Sequence, residues 1–159
     1  MKTLVGKWKL FLMLALSLGT PTMLYAVEES FVASIRILSP MPVFERTPLV
    51  FPDLEVSESS RTIVVLPSDT GAASFDLVGG SDEGITASIV ESEVSMTQGS
   101  TVIVVNAFTF GGCLGADGTG ALSGSGKFSS CTIGGTALIP ANPNFGMYTG
   151  TLTFRVVYQ

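Results

Sequence analysis

Histidine is absent from all 159 residues. That removes the usual general base at neutral pH, the commonest zinc ligand and every Ser-His or Cys-His nucleophile pair. Charge is sparse too: Asp, Glu, Lys and Arg make up 13% of the chain, and the carboxylates are scattered instead of grouped at metal-ligand spacing. No Gly-x-Ser-x-Gly elbow occurs. No enzyme, cofactor or metal centre is expected from such a composition.

Long apolar runs are also missing, with one exception. Lys2, Lys7 and Lys9 precede Leu10–Leu18, an apolar stretch broken only by Ser17, and a turn-prone segment follows and ends at Ala26. The apolar run is about half of the roughly 20 residues that span hydrocarbon. The pattern therefore predicts a cleaved signal peptide over residues 1–26, with no membrane span in what remains. Export to the periplasm, and from there to the cell surface or medium, is the expected destination.

Basic residues are scarce once that segment is set aside. Arg36, Arg46, Arg61, Lys127 and Arg155 face all 13 acidic residues, a formal charge of −8 for residues 27–159. An acidic surface repels phosphate backbones, so nucleic acid is excluded as a partner. Cysteine is limited to Cys113 and Cys131. An even count in an exported chain predicts one disulfide.

Short runs rich in β-branched and aromatic residues fill the exported part: Arg61–Leu66, Ser74–Val78, Ile85–Val90, Thr101–Phe110, Thr132–Ile139 and Tyr148–Tyr158, each bounded by Gly, Pro, Asp or Ser. No capped 3.6-residue repeat competes with them. An all-β antiparallel sandwich follows, over residues 46–159 and preceded by an N-terminal extension over 27–45. The Gly-rich stretch from Gly111 to Gly126 reads as a flexible or bulged connection tied down by the disulfide. It is not a phosphate loop, because Phe128 follows Gly126-Lys127 where Ser or Thr is required.

Asp69-Thr70-Gly71-Ala72 matches the active-site string of aspartic proteases, which need two such carboxylates. A single copy leaves only a homodimeric protease, and a polar turn accounts for the same residues.

The C-terminus carries the most information. Tyr158 is penultimate, and Val156, Phe154, Leu152, Gly150, Tyr148 and Gly146 recur at every second residue, opposite Val157, Arg155, Thr153, Thr151 and Thr149. A strand with one apolar face and no successor has a free edge that invites another chain. The arrangement resembles subunits of chaperone–usher pili, in which a penultimate tyrosine, alternating apolar residues and a glycine fourteen from the end form the strand bound by a periplasmic chaperone. Near the start of the exported part, Phe31, Ala33, Ile35 and Ile37 alternate with Val32, Ser34, Arg36 and Leu38. In pilins such a segment is a donor strand that completes a neighbour's immunoglobulin-like sandwich; the alternative is this domain's own first strand.

The layout from Leu49-Val50-Phe51 through Phe75–Gly79, Phe108–Phe110, Ile133–Leu138 and Gly146–Thr151 to Val157-Tyr158 is also similar to the exported bacterial domain-of-unknown-function 4402 family, related in pattern to fimbrial proteins. Phe51-Pro52 replaces the family's usual Phe-Gly, and the cysteine pair is not part of the shared pattern. The resemblances imply an immunoglobulin-like, fimbrial-type fold and a structural or adhesive surface subunit. Its partners would be a periplasmic chaperone, an outer-membrane usher and neighbouring subunits. A self-contained secreted module binding carbohydrate or protein is the alternative.

Overall fold

The computed structural model describes residues 28–159; the expected signal peptide lies outside them. Residues 28–36 belong to a unit separate from Ile37–Gln159, and they contain no strand. Phe31 and Ile35 are 90% and 89% exposed.

The second unit is all-β. Its strands are β1 (Val43–Thr47), β2 (Arg61–Val65), β3 (Ala73–Val78), β4 (Gly84–Ile89), β5 (Glu93–Gln98), β6 (Thr101–Gly112), β7 (Thr119–Ala121), β8 (Lys127–Ile139) and β9 (Phe154–Tyr158). A larger antiparallel sheet runs β1-β3-β8-β6-β5, with β2 also paired to β8; a smaller one runs β7-β4-β9. The long β8 serves two partners on the same side, β3 along residues 127–133 and β2 along 135–139. β1 crosses the boundary expected between residues 45 and 46.

Two clusters form the core. Leu77, Ile85, Ala87, Leu114, Leu122 and Cys131 fill the space between the sheets. Ile103, Val105, Ala137 and Ile139 form the second, covered by Leu49, Phe51 and Tyr148. Coil segments therefore cover the part of the larger sheet that the three-stranded sheet leaves bare.

Cys113 and Cys131 are disulfide-bonded, with Cα atoms 4.5 Å apart, and Cys131 is fully buried in the first cluster. The Gly-rich stretch is more ordered than its composition implies. It holds the end of β6 and all of β7, because Leu114 and Leu122 anchor it in the core. Between them Asp117 accepts hydrogen bonds from the Thr119 hydroxyl and N–H at 2.7 and 3.1 Å. The Thr119 hydroxyl, then its N–H, hold the carboxyl below its ordinary pKa.

Candidate functional site: the C-terminal strand and its open edge

β9 pairs with β4 in the register Ile85↔Tyr158, Ala87↔Val156 and Ile89↔Phe154. The flanking bonds from Gln159 N–H to Gly84 C=O (2.9 Å) and from Val90 N–H to Thr153 C=O (3.0 Å) fix which residues face β4. Bonded pairs alternate in an antiparallel ladder, so Thr153, Arg155, Val157 and Gln159 direct their main-chain groups at β4. Phe154, Val156 and Tyr158 direct theirs away, toward an edge with no strand partner among the described residues. The side chains of these same three residues turn inward against the core.

That inward row is only half-buried from Phe154 through Tyr158, although it faces the inside of a sandwich. The rings of Phe154 and Phe75 lie 4.6 Å apart, which places β9 above β3. β3 is one strand in from the sheet edge, and β1 is the last strand of the larger sheet among the described residues. Val43, paired with the inward-facing Leu77, is 39% exposed. The free edge of β9 thus lies above β3, beside the exposed Val43 of β1.

Only Phe154–Tyr158 of the expected strand 146–158 is strand. The alternation of side chains still persists upstream, with Tyr148 and Leu152 half-buried between exposed neighbours. The reason is a crossover. Gly146 has φ +136°, and a Cβ on Gly150 would lie 2.9 Å from Val94 Cγ2, so residues 148–152 pass over β5 of the larger sheet before joining the smaller one. Tyr148 donates its hydroxyl to Asn144 C=O at 2.7 Å. Asn144 donates from its main-chain N–H to Thr101 Oγ1 (2.9 Å) and from its side chain to Gln98 C=O (2.8 Å).

No motif signals the anchors at either end of β9. Glu91 accepts from both the N–H and the hydroxyl of Thr153, at 2.7 and 2.8 Å, and these bonds hold its carboxyl below the ordinary pKa, the N–H foremost. The Tyr158 hydroxyl accepts the Gly80 N–H at 3.0 Å. Neither glutamate nor glycine stands in any motif, and only the fold brings them to β9.

The other candidate residues separate from this site. Asp69 Oδ2 accepts the Leu66 N–H at 2.8 Å while its own N–H donates to Leu66 C=O at 2.9 Å, so its carboxylate closes the turn after β2. Ala33 is exposed, and Ile37 is 88% exposed. No group of three His, Cys, Asp or Glu side chains suited to a metal ion occurs among the described residues.

Two antiparallel sheets, one disulfide and an open-edged terminal strand define an all-β, sandwich-like domain. Residues 53–158 match the family described as Domain of unknown function (DUF4402), and the chain belongs to that family. β1 and the extension lie upstream of the matched region. No curated protein and no solved structure matches the chain.

Proposed function

We propose that the chain is an exported structural or adhesive subunit of a surface fibre, assembled by β-strand complementation. The observation that carries this reading is the free edge of β9, with the half-buried row Phe154, Val156 and Tyr158 behind it. A strand laid there gains main-chain hydrogen bonds from these three residues and covers Val43. An apolar, alternating strand is what such an edge accepts.

The segment that fits is Phe31–Ile37 of another copy: Phe31, Ala33, Ile35 and Ile37 form one apolar row, and each is exposed in its own chain. A periplasmic chaperone would hold the edge first and an outer-membrane usher would pass the subunit to its neighbour. Completion of the edge makes the fold immunoglobulin-like.

The test is expression of residues 27–159 with and without 27–39. Assembly or chaperone dependence is expected only where the extension is present to reach a neighbour, and the shortened chain is expected to cap growth. Two stable monomers of equal behaviour would refute strand exchange.

A further inference from the structure

We propose that two positioning residues set the register of β9 and so decide which stretch of main chain its open edge offers: Tyr158, through its hydroxyl at Gly80, and Gly150, through the side chain it lacks over β5. The proposal rests on the assembly reading above.

Main-chain pairing alone leaves the register open. β9 joins β4 along the short ladder from Ile85↔Tyr158 to Ile89↔Phe154, and among the described residues no main-chain hydrogen bond ties residues 145–152 to another segment. A slip of one residue is excluded by parity, because it turns Arg155 and Val157 into the core and Phe154, Val156 and Tyr158 out of it. A slip of two keeps parity. It moves the strand about 7 Å along β4 and exchanges like for like: Leu152, Phe154, Val156 and Tyr158 fill the inward row, while Thr149, Thr151 and Thr153 repeat on the opposite one.

Glu91 does not tell these registers apart. It accepts the N–H and the hydroxyl of Thr153, and Thr151 would offer the same two donors two residues earlier. The bond from Val90 N–H to Thr153 C=O is met by any residue of that row.

Tyr158 does discriminate. Its hydroxyl accepts the Gly80 N–H at 3.0 Å, in a space so close that a Cβ on Gly79 would lie 2.5 Å from the hydroxyl oxygen. Leu152, Phe154 and Val156 carry no hydroxyl, so a slip that brings Val156 to this place leaves the Gly80 N–H without its acceptor. Gly150 discriminates at the other end. A Cβ there would lie 2.9 Å from Val94 Cγ2 and 3.0 Å from Met96 Cγ, closer than the roughly 3.5–4.0 Å at which carbon atoms pack. A strand sliding as a unit carries Tyr148 or Leu152 into that crossing, and neither fits. Any two-residue slip therefore breaks both points at once.

The test reads register by NMR on the exported chain. Residues of an antiparallel pair that exchange no hydrogen bonds bring their Cα atoms to about 4.5 Å, so Hα–Hα contacts should join Ile85 to Tyr158, Ala87 to Val156 and Ile89 to Phe154. The unaltered chain is expected to show that set alone. Tyr158→Leu combined with Gly150→Ala is expected to add a second set shifted by two residues, Ala87 to Phe154 with Ile89 to Leu152, or Ala87 to position 158 with Ile89 to Val156. Each single variant should show it more weakly, and Glu91→Gln should lower the urea midpoint without it. A second set in the unaltered chain or in Glu91→Gln, or a folded double variant with the native set alone, overturns the proposal. If the double variant does not fold, the single variants decide, and the native set alone in both overturns it. Assembly is followed on the same samples with and without residues 27–39. Extension-dependent assembly with a register that never shifts sinks the register inference alone; a shifted register in chains that never assemble sinks strand exchange alone.

Discussion

Asp76 accepts Arg46 Nε at 2.7 Å and the Ser130 N–H at 3.2 Å, pinning β1 to β3 and β3 to the bulge in β8. The Arg46 hydrogen bond is the main cause of its lowered pKa, followed by the bond from Ser130. A carboxyl lowered on folding stabilises the native state above its unfolded pKa of about 3.9, and that contribution is lost as pH falls through the folded value. Asp76→Asn is therefore expected to flatten the loss of stability below about pH 4, measured as urea midpoints across pH. Tyr158 acts at the same scale. Tyr158→Phe keeps the ring in the core and leaves the Gly80 N–H without its acceptor, at a cost of about 1–3 kcal/mol. A lower urea midpoint with an unchanged slope is the expected readout.

At the scale of elements, the strands most legible in the sequence were those with two faces of different character. Arg61–Leu66 appears as β2 and Ser74–Val78 as β3, each within a residue at its ends. β5, Glu93–Gln98, gave no signal, because Val94 and Met96 are the only apolar residues among six and the strand depends on its pairing with β6. The terminal strand was legible in its side-chain parity but not in its length, since alternation is a property of extended chain and hydrogen-bonded pairing is not. Gly146, at φ +136°, turns the chain, and Gly150 lets it pass close over Val94 and Met96. The disulfide was legible from cysteine count alone. It ties β8 to the segment just beyond β6, and Cys113→Ala with Cys131→Ala is expected to cost about 3 kcal/mol for a loop of this size. Chemical denaturation of both forms measures it, and the double variant should retain the same sheet signature by circular dichroism.

For the whole molecule, the imbalance between the sheets has the widest consequence. A larger sheet extending to β1 faces a smaller one whose last strand, β9, lies above β3. Long-range placement of this kind is invisible to local periodicity, so the sequence located the terminal strand without placing it above β3. The resemblance to pilus subunits supplies a proposed use for both termini; the fold places the open edge of β9 beside the exposed Val43 of β1.

The most direct measurement uses residues 40–159 and a synthetic peptide of residues 28–39 added in trans. A ligand that binds only the folded state stabilises it by about 2.7 kcal/mol at one hundred times its Kd. Strand complementation requires the melting temperature to rise with peptide concentration and saturate, with new hydrogen-exchange protection at Phe154, Val156 and Tyr158. A peptide with Phe31 and Ile35 changed to Ser should lose most of the effect. A melting temperature indifferent to the peptide, in a chain whose β9 edge stays unprotected, would contradict it.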